Sequence, residues 1–508
     1  MHSHRHMNPA VLYLLYFFVV SVSPLSEHPK LIIISFDGFR HDKLDPRLVP
    51  NLAKWASLGV QFTNGLTSQY PSFTAVNHMS ISTGLFTESH GIVSNVFYDR
   101  ALSKIYDYWN ETKIPGIIKE SIDGLWYRGE PIWVTNERDG PGRRSASLYW
   151  PYGEVPFPTN PSRPSIYRNW VDFRPLEEWK SDADEIVRLF TDAYSPVNFV
   201  SWYIAEPDHC LHTHGYHDGH YKEMMRKLDT LFDYFLRRMK ASGLEDKVNI
   251  IFTADHGHIQ VNGVDNVLCV EDYVDMNRIR WAFNMIYAED RKHADQMYTS
   301  LSQAVKENHL KVKIFRKENF DDRWHFTGIS SRIGDIILEP EAGYDVQFNC
   351  GYVKEAKKQS RDLHSSTHGI NPDDPGMRAV LVLRGPSFAK TQKITRIPQN
   401  IDLYPLMCYL LGIKPAPNNG SMVVFQTTVE FTEKQRRFYH GFTIIVVPLV
   451  GMIVLLIVVA ATQCCKGLCI SERAISEQSG RSAASIELGE KHKAEEERGS
   501  SSQEIKSP

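Results

Sequence analysis

Four short apolar runs, dense in β-branched residues, most constrain what this chain can fold into. They are Leu31–Phe36 (LIIISF), Val197–Ile204 (VNFVSWYI), Val248–Thr253 (VNIIFT) and Ala379–Leu383 (AVLVL). Near-continuous apolar runs suit strands covered on both faces, as in a parallel sheet between helices. Helical spacing lies between them. Leu228, Leu231, Phe232, Phe235, Leu236 and Met239 share one face of a helix over Met224–Ala241, and Gly243 supplies its stop. Strand, helix and strand over residues 197–253 predict an α/β fold, a three-layer α/β/α sandwich.

The residues just past these strands carry the chemistry. LIIISF runs into Asp37-Gly38, VNFVSWYI into Asp208 with His212 four residues on, and VNIIFT into Asp255-His256-Gly257. Ligands of open α/β sheets bind outside the carboxyl ends of the strands. Three strands therefore deliver carboxylates and imidazoles to one edge. Carboxylates gathered there repel one another unless cations lie between them, and a mixed Asp/His donor set suits zinc. The stretch that holds His209, His212, His214, His217 and His220 also fits a solvated His-rich loop.

The 508 residues, 42% of them hydrophobic, suffice for one large core, and a formal charge of -3 gives no attraction for nucleic acid. Ala10–Val22 is a short apolar run behind His and Arg residues, which predicts a secretory signal peptide over residues 1–26. Gly441–Thr462 lacks any charge and is long enough to span a bilayer; Pro448 and Gly451 are tolerated there. The expectation is a single-pass type I plasma-membrane protein. Residues 27–425 form the extracellular domain, 426–440 a stalk, 441–462 the span and 463–508 a disordered cytoplasmic tail. Cys210, Cys269, Cys350 and Cys408 face the oxidising side and can pair, with connectivity open. Cys464, Cys465 and Cys469 are palmitoylation candidates. Asn110 and Asn419 head glycosylation sequons.

Several stretches resemble the ectonucleotide pyrophosphatase/phosphodiesterase family of the alkaline phosphatase superfamily. They are Ser35–Arg40, Asn77–Leu85, Glu88–Val93, Pro131–Asn136, Glu206–Gly215, Thr253–Gly257 and Leu411–Gly420, within roughly residues 30–420. The chain looks like the shorter, single-span members. The resemblance implies the alkaline phosphatase type of sandwich and two zinc ions. One ion resembles a site of Asp208, His212 and His368, the other a site of Asp37, Thr74, Asp255 and His256. It implies Thr74 as nucleophile, three residues before Asn77, and Asn95 as donor to a phosphoryl oxygen. Ser72 and His364 stand as alternatives to Thr74 and His368.

The implied activity is hydrolysis of nucleotide pyrophosphate or phosphodiester bonds through a phospho-threonine intermediate, with Asn95 and the Ala75 N–H stabilising charge. The family's base-stacking Phe corresponds to Ala75 and its basic residue before the nucleophile to Phe73. Trp170 or Phe173 is the expected wall for the base. Pro71-Ser72-Phe73-Thr74 also resembles the nucleophile loop of phosphonoacetate hydrolases. A choline or lipid phosphodiester and a catalytically silent surface protein are the other readings compatible with the sequence.

Overall fold

Every residue of the strand Lys30–Phe36 is buried, and the sheet is built around it. The computed structural model describes residues 26–109, 123–171, 174–361, 363, 365–429 and 452. The expected signal peptide up to residue 25, Asn110, Phe173, His364, Cys464, Cys465, Cys469, the tail and, Met452 apart, the expected span lie outside the described residues. No helix among the described residues is long and apolar enough to cross a membrane.

The central strand pairs in parallel with Phe199–Ile204 on one side and Val248–Thr253 on the other. Residues that pair across strands share a face. Ile34 lies beside Trp202 and Phe252, and Ser35 beside Tyr203 and Thr253. On the first face, Phe252 meets Phe232 edge-on at 5.3 Å, and Trp202 lies 5.7 Å from Phe235. Both partners belong to the helix His220–Ala241. The Trp202 indole N–H also donates to Asp182 of the helix Leu176–Phe190. On the second face, the Ser35 hydroxyl and the Tyr203 ring pack against His78 of the helix Thr74–Thr83. Helices thus cover both faces, as the apolar runs require.

The full sheet has eight strands, in the order 392–394, 60–62, 381–384, 248–253, 30–36, 199–204, 145–148 and 166–168. The parallel arrangement expected of all four apolar runs needs correction. The fourth run forms Leu381–Arg384 and lies antiparallel to Val248–Thr253. Its chain enters the sheet from the edge where the other strands deliver their acidic residues, so it must run backwards. The helix expected to start at Met224 begins at His220. It ends where Gly243, at φ +67°, lets Leu244 N–H reach back to the Met239 carbonyl.

An inserted subdomain was not legible. Four antiparallel strands, ordered 279–282, 285–288, 336–340 and 312–316, carry the helix Arg291–Glu307. Met297, Leu301 and Ala304 of that helix pack on Ile286, Val312, Ile336 and Leu338. A Cys269–Cys350 disulfide closes its base, while Cys210 and Cys408 are buried free thiols. The segment expected to start a stalk at residue 426 is still folded: Thr428 and Val429 are buried, and Val429 bridges Phe388. Asn419 is exposed, with its Oδ1 accepting the Phe86 N–H.

Phe232 is fully buried against Trp55, Phe235 and Phe252. Phe232→Ala should lower stability by about 3–5 kcal/mol, read from the denaturant midpoint. A loss below about 1 kcal/mol would show that this ring does not hold the helix layer to the sheet.

Candidate active site

Three strands running the same way end on acidic residues. Asp37 follows the central strand, Asp208 opens the helix Asp208–His214, and Asp255 follows Val248–Thr253. The four-residue helical spacing sets His212 over Asp208, with Nε2 3.5 Å from Oδ2. His368 comes from the loop before the antiparallel strand. Its Nε2 lies 3.0 Å from His212 Nε2 and 3.5 Å from Asp208 Oδ1. A second group forms around His256, whose Nε2 is 3.1 Å from Asp255 Oδ2, 3.5 Å from Asp37 Oδ1 and 3.2 Å from Thr74 Oγ1. His214 and His220 point elsewhere; both pair with Asp218, their rings stacked at 3.9 Å.

Thr74 is the first residue of its helix, so its hydroxyl sits at the positive end of the helix dipole. Asn77 holds the preceding loop. Its amide donates to the Phe73 carbonyl at 2.9 Å, and its Oδ1 accepts the Gln69 N–H at 2.7 Å. Ser72 has another task. Its buried hydroxyl donates to the Ile370 carbonyl, and its own carbonyl accepts His368 Nδ1–H at 2.9 Å. Of the two candidate hydroxyls, only Thr74 faces the cluster.

The donor set fits two metal ions. Asp37 Oδ1 and Asp255 Oδ2 are buried and lack a hydrogen-bond donor. Burial, then the charges of Asp255 and Asp208, pushes the Asp37 carboxyl well above its ordinary pKa. A cation relieves both problems. His256 Nδ1 is occupied by the Gly257 carbonyl and His368 Nδ1 by that of Ser72, which leaves each Nε2 lone pair aimed into the cluster. The Asp208, His212 and His368 donor atoms stand 3.0–3.5 Å apart. Ligands at about 2.0–2.1 Å around a tetrahedral zinc stand about 3.3 Å apart. Asp208, His212 and His368 can hold one ion, and Asp37, Asp255, His256 and Thr74 another.

Two expectations change. The Ala75 N–H is not a free donor for a phosphoryl oxygen, because it donates to Asn95 Oδ1 at 2.8 Å. That bond fixes the Asn95 amide and leaves its NH2 group as the donor. Ala75 is fully buried and does not line the cavity over the cluster, so the base-facing surface lies elsewhere. This cavity of ≈ 880 Å³ is lined by Trp109 and Trp170, 4.6 Å apart, and by Trp281 and Phe283 of the inserted sheet. Phe283 adopts φ +48°, an uncommon conformation for a bulky residue, and packs on Phe73 at 4.9 Å. Phe73 in turn lies over Gly369, where a Cβ would come within 2.1 Å of its ring. The residue before Thr74 therefore buttresses the His368 loop.

The profile of the family described as "Type I phosphodiesterase / nucleotide pyrophosphatase" matches residues 31–371. The chain belongs to this family. It is 31% identical over 403 residues to the bis(5'-adenosyl)-triphosphatase enpp4 of Xenopus laevis, covering 78% of this chain and 81% of that one. It is 27% identical over 444 residues to the rat ectonucleotide pyrophosphatase/phosphodiesterase family member 7, covering 84% and 92%. Among solved structures, murine ectonucleotide pyrophosphatase/phosphodiesterase 5 superposes with a TM-score of 0.68 at 27% identity, over 79% of this chain and all of that one. An inactive variant of the same murine protein, in complex with AMP, superposes with a TM-score of 0.69. This chain is thus a hydrolase of the nucleotide pyrophosphatase/phosphodiesterase type on an alkaline phosphatase-like fold.

Two residues of this hydrolase's site escaped sequence reasoning. Tyr203 donates its hydroxyl to Asp37 Oδ2 at 2.5 Å, yet within VNFVSWYI it reads only as a buried strand aromatic. His258 contacts Asp208 Oδ1 at 2.5 Å; the signal was its place directly after Asp255-His256-Gly257. Tyr203→Phe removes the side-chain donor on Asp37 Oδ2 and should weaken metal binding by about 10–100-fold in a chelator competition. Unchanged affinity would show that Asp37 is oriented without it.

Proposed function

We propose that this chain is an extracellular, two-zinc hydrolase of nucleotide pyrophosphate or phosphodiester bonds that works through a phospho-threonine intermediate on Thr74. One observation carries the reading: the Thr74 hydroxyl, at a helix N-terminus, faces His256 Nε2 beside two buried carboxylate oxygens that lack a donor. Bound zinc would favour the Thr74 alkoxide and offset charge on the transferring phosphoryl group. Thr74 Oγ1 attacks phosphorus, the P–O bond to the leaving group breaks, and water then attacks phosphorus to free the threonine. The Asn95 NH2 group donates to a phosphoryl oxygen, held in place by the Ala75 N–H on its other end.

The cavity supports the substrate reading. Trp109 and Trp170, together with Trp281 and Phe283, offer flat apolar faces beside the nucleophile, and a base stacked on such a face gains about 1–3 kcal/mol. The AMP bound by the murine relative and the adenosyl substrate in the name of the frog relative support a 5'-nucleotide group. Export, with anchoring by residues 441–462 as a type I plasma-membrane protein, is supported by the apolar runs at both ends and by the Cys269–Cys350 disulfide, which suits an oxidising compartment. Asn419 is then a glycosylation site.

The test is turnover of a nitrophenyl 5'-nucleotide ester and of a dinucleoside polyphosphate. Thr74→Ala should fall to at most about a thousandth of wild-type kcat while keeping its metal. Ser72→Ala should stay within about tenfold of wild type. The reverse pattern would transfer the role to Ser72. A strong chelator should abolish activity, and about two zinc ions per chain should restore it. Trp170→Ala should raise KM for the nucleotide ester about 5–150-fold. An unchanged KM would remove Trp170 from the base site. A preference for a choline phosphodiester or a phosphonate over every nucleotide would sink the nucleotide reading.

A further inference from the structure

The turn that supplies Asp255 and His256 carries one more imidazole, with no part in the chemistry proposed for Thr74. His258 is fully buried. Its backbone is pinned: its carbonyl accepts from the Arg40 guanidinium at 2.9 Å and from the Tyr216 hydroxyl at 3.3 Å. Its ring lies against Gly38, where a Cβ would come within 2.8 Å of His258 Cδ2. The glycine after Asp37, at φ +70°, thus makes room for this imidazole.

The hydrogens around the ring can be counted. Ser366 Oγ lies 3.0 Å from the Leu211 carbonyl and 3.0 Å from His258 Nδ1. A carbonyl only accepts, so the single Ser366 hydroxyl hydrogen goes to Leu211. Ser366 Oγ must then accept from His258 Nδ1–H. A neutral imidazole has one N–H, so His258 Nε2 is a bare lone pair, 2.5 Å from Asp208 Oδ1. His368 is in the same state, its Nδ1–H given to the Ser72 carbonyl and its Nε2 turned inward. Lone pairs of two imidazoles and a carboxylate face one another and require a shared cation. A proton serves one pair of atoms; a metal ion serves them all. The donor atoms of Asp208, His212, His258 and His368 all lie within 4.8 Å of one another, a little wider than the roughly 3.3 Å between ligands of one tetrahedral ion.

We propose that His258 is a fourth protein ligand of the ion held by Asp208, His212 and His368, an inference that rests on the two-metal reading of the proposed function. Asp208, His212, His258 and His368 would together hold that ion, and four protein donors would suit a tightly retained ion that offsets phosphoryl charge better than one that generates free hydroxide.

The test uses the full-length protein with 15N-labelled histidine, loaded with 113Cd. Four imidazoles should show nitrogen–cadmium coupling: His212, His256, His258 and His368. Uptake of two ions with only three coupled imidazoles overturns this proposal alone; failure to take up any ion overturns the two-metal reading with it. As a second arm, His258→Leu and His258→Gln are compared in chelator competition. Gln can still donate to Asp208 but carries no imidazole. Both variants should bind one of the two ions more than about 100-fold more weakly, beyond the 10–100-fold typical of a supporting partner. Affinity of His258→Gln within about tenfold of wild type would make His258 a hydrogen-bonding support of Asp208 and overturn its assignment as a ligand.

Discussion

Three carboxylates brought together away from water govern this molecule. Asp37 and Asp255 are completely enclosed and Asp208 is partly buried, and like charges held in such surroundings are costly unless positive charge joins them. The neighbourhood is built almost wholly of donors and lone-pair bases: the Tyr203 hydroxyl, the Gly38 N–H and the imidazoles of His78, His256, His258 and His368. Even so, one oxygen each of Asp37 and Asp255 lacks a donor. The parallel core of the sheet is what makes the gathering possible, since it sends the ends of three strands to a single edge.

The parts that were legible in the sequence are those set by local chemistry. An apolar run ending in Asp announces both a buried strand and the group at its end, and Asp208 with His212 announces one face of a helical turn. Strand direction carries no such local mark. Leu381–Arg384 reads like its neighbours, yet runs against Val248–Thr253 because of the path taken by the chain before it. The inserted sheet was illegible for a related reason. A strand such as Val312–Arg316 is only partly buried and is held by the helix it packs on rather than by an apolar run of its own. Hydrogen-bond assignments were the least accessible. Nothing in the residues around Ala75 indicates that its N–H is taken by Asn95, twenty residues away.

The Asp/His cluster and the walls of the cavity above it come from different parts of the chain. The main sheet supplies the acidic residues and imidazoles. The cavity walls draw on Trp109 and Trp170 and on the inserted strand Ile279–Ala282 with the adjoining Phe283. The contact between Phe73 and Phe283 joins the two, so the loop bearing Thr74 leans on the element that shapes the cavity. A change at Phe283 therefore acts both on the cavity and on the backbone beside Thr74.

The way the insertion leaves and rejoins the sheet has a consequence for how such a protein can diversify. Ile259–Gln260 pairs antiparallel with Ser366–Thr367, and this short ladder closes a neck directly beside His258 and His368. About a hundred residues intervene in the chain, but the entropy of closing a loop grows only slowly with its length. Once the neck is paired, the spacing of the two histidines hardly depends on what is threaded between them. The insertion behaves as an exchangeable head on a fixed collar: it can be lengthened, shortened or resurfaced for another substrate while the metal-binding edge beneath keeps its dimensions.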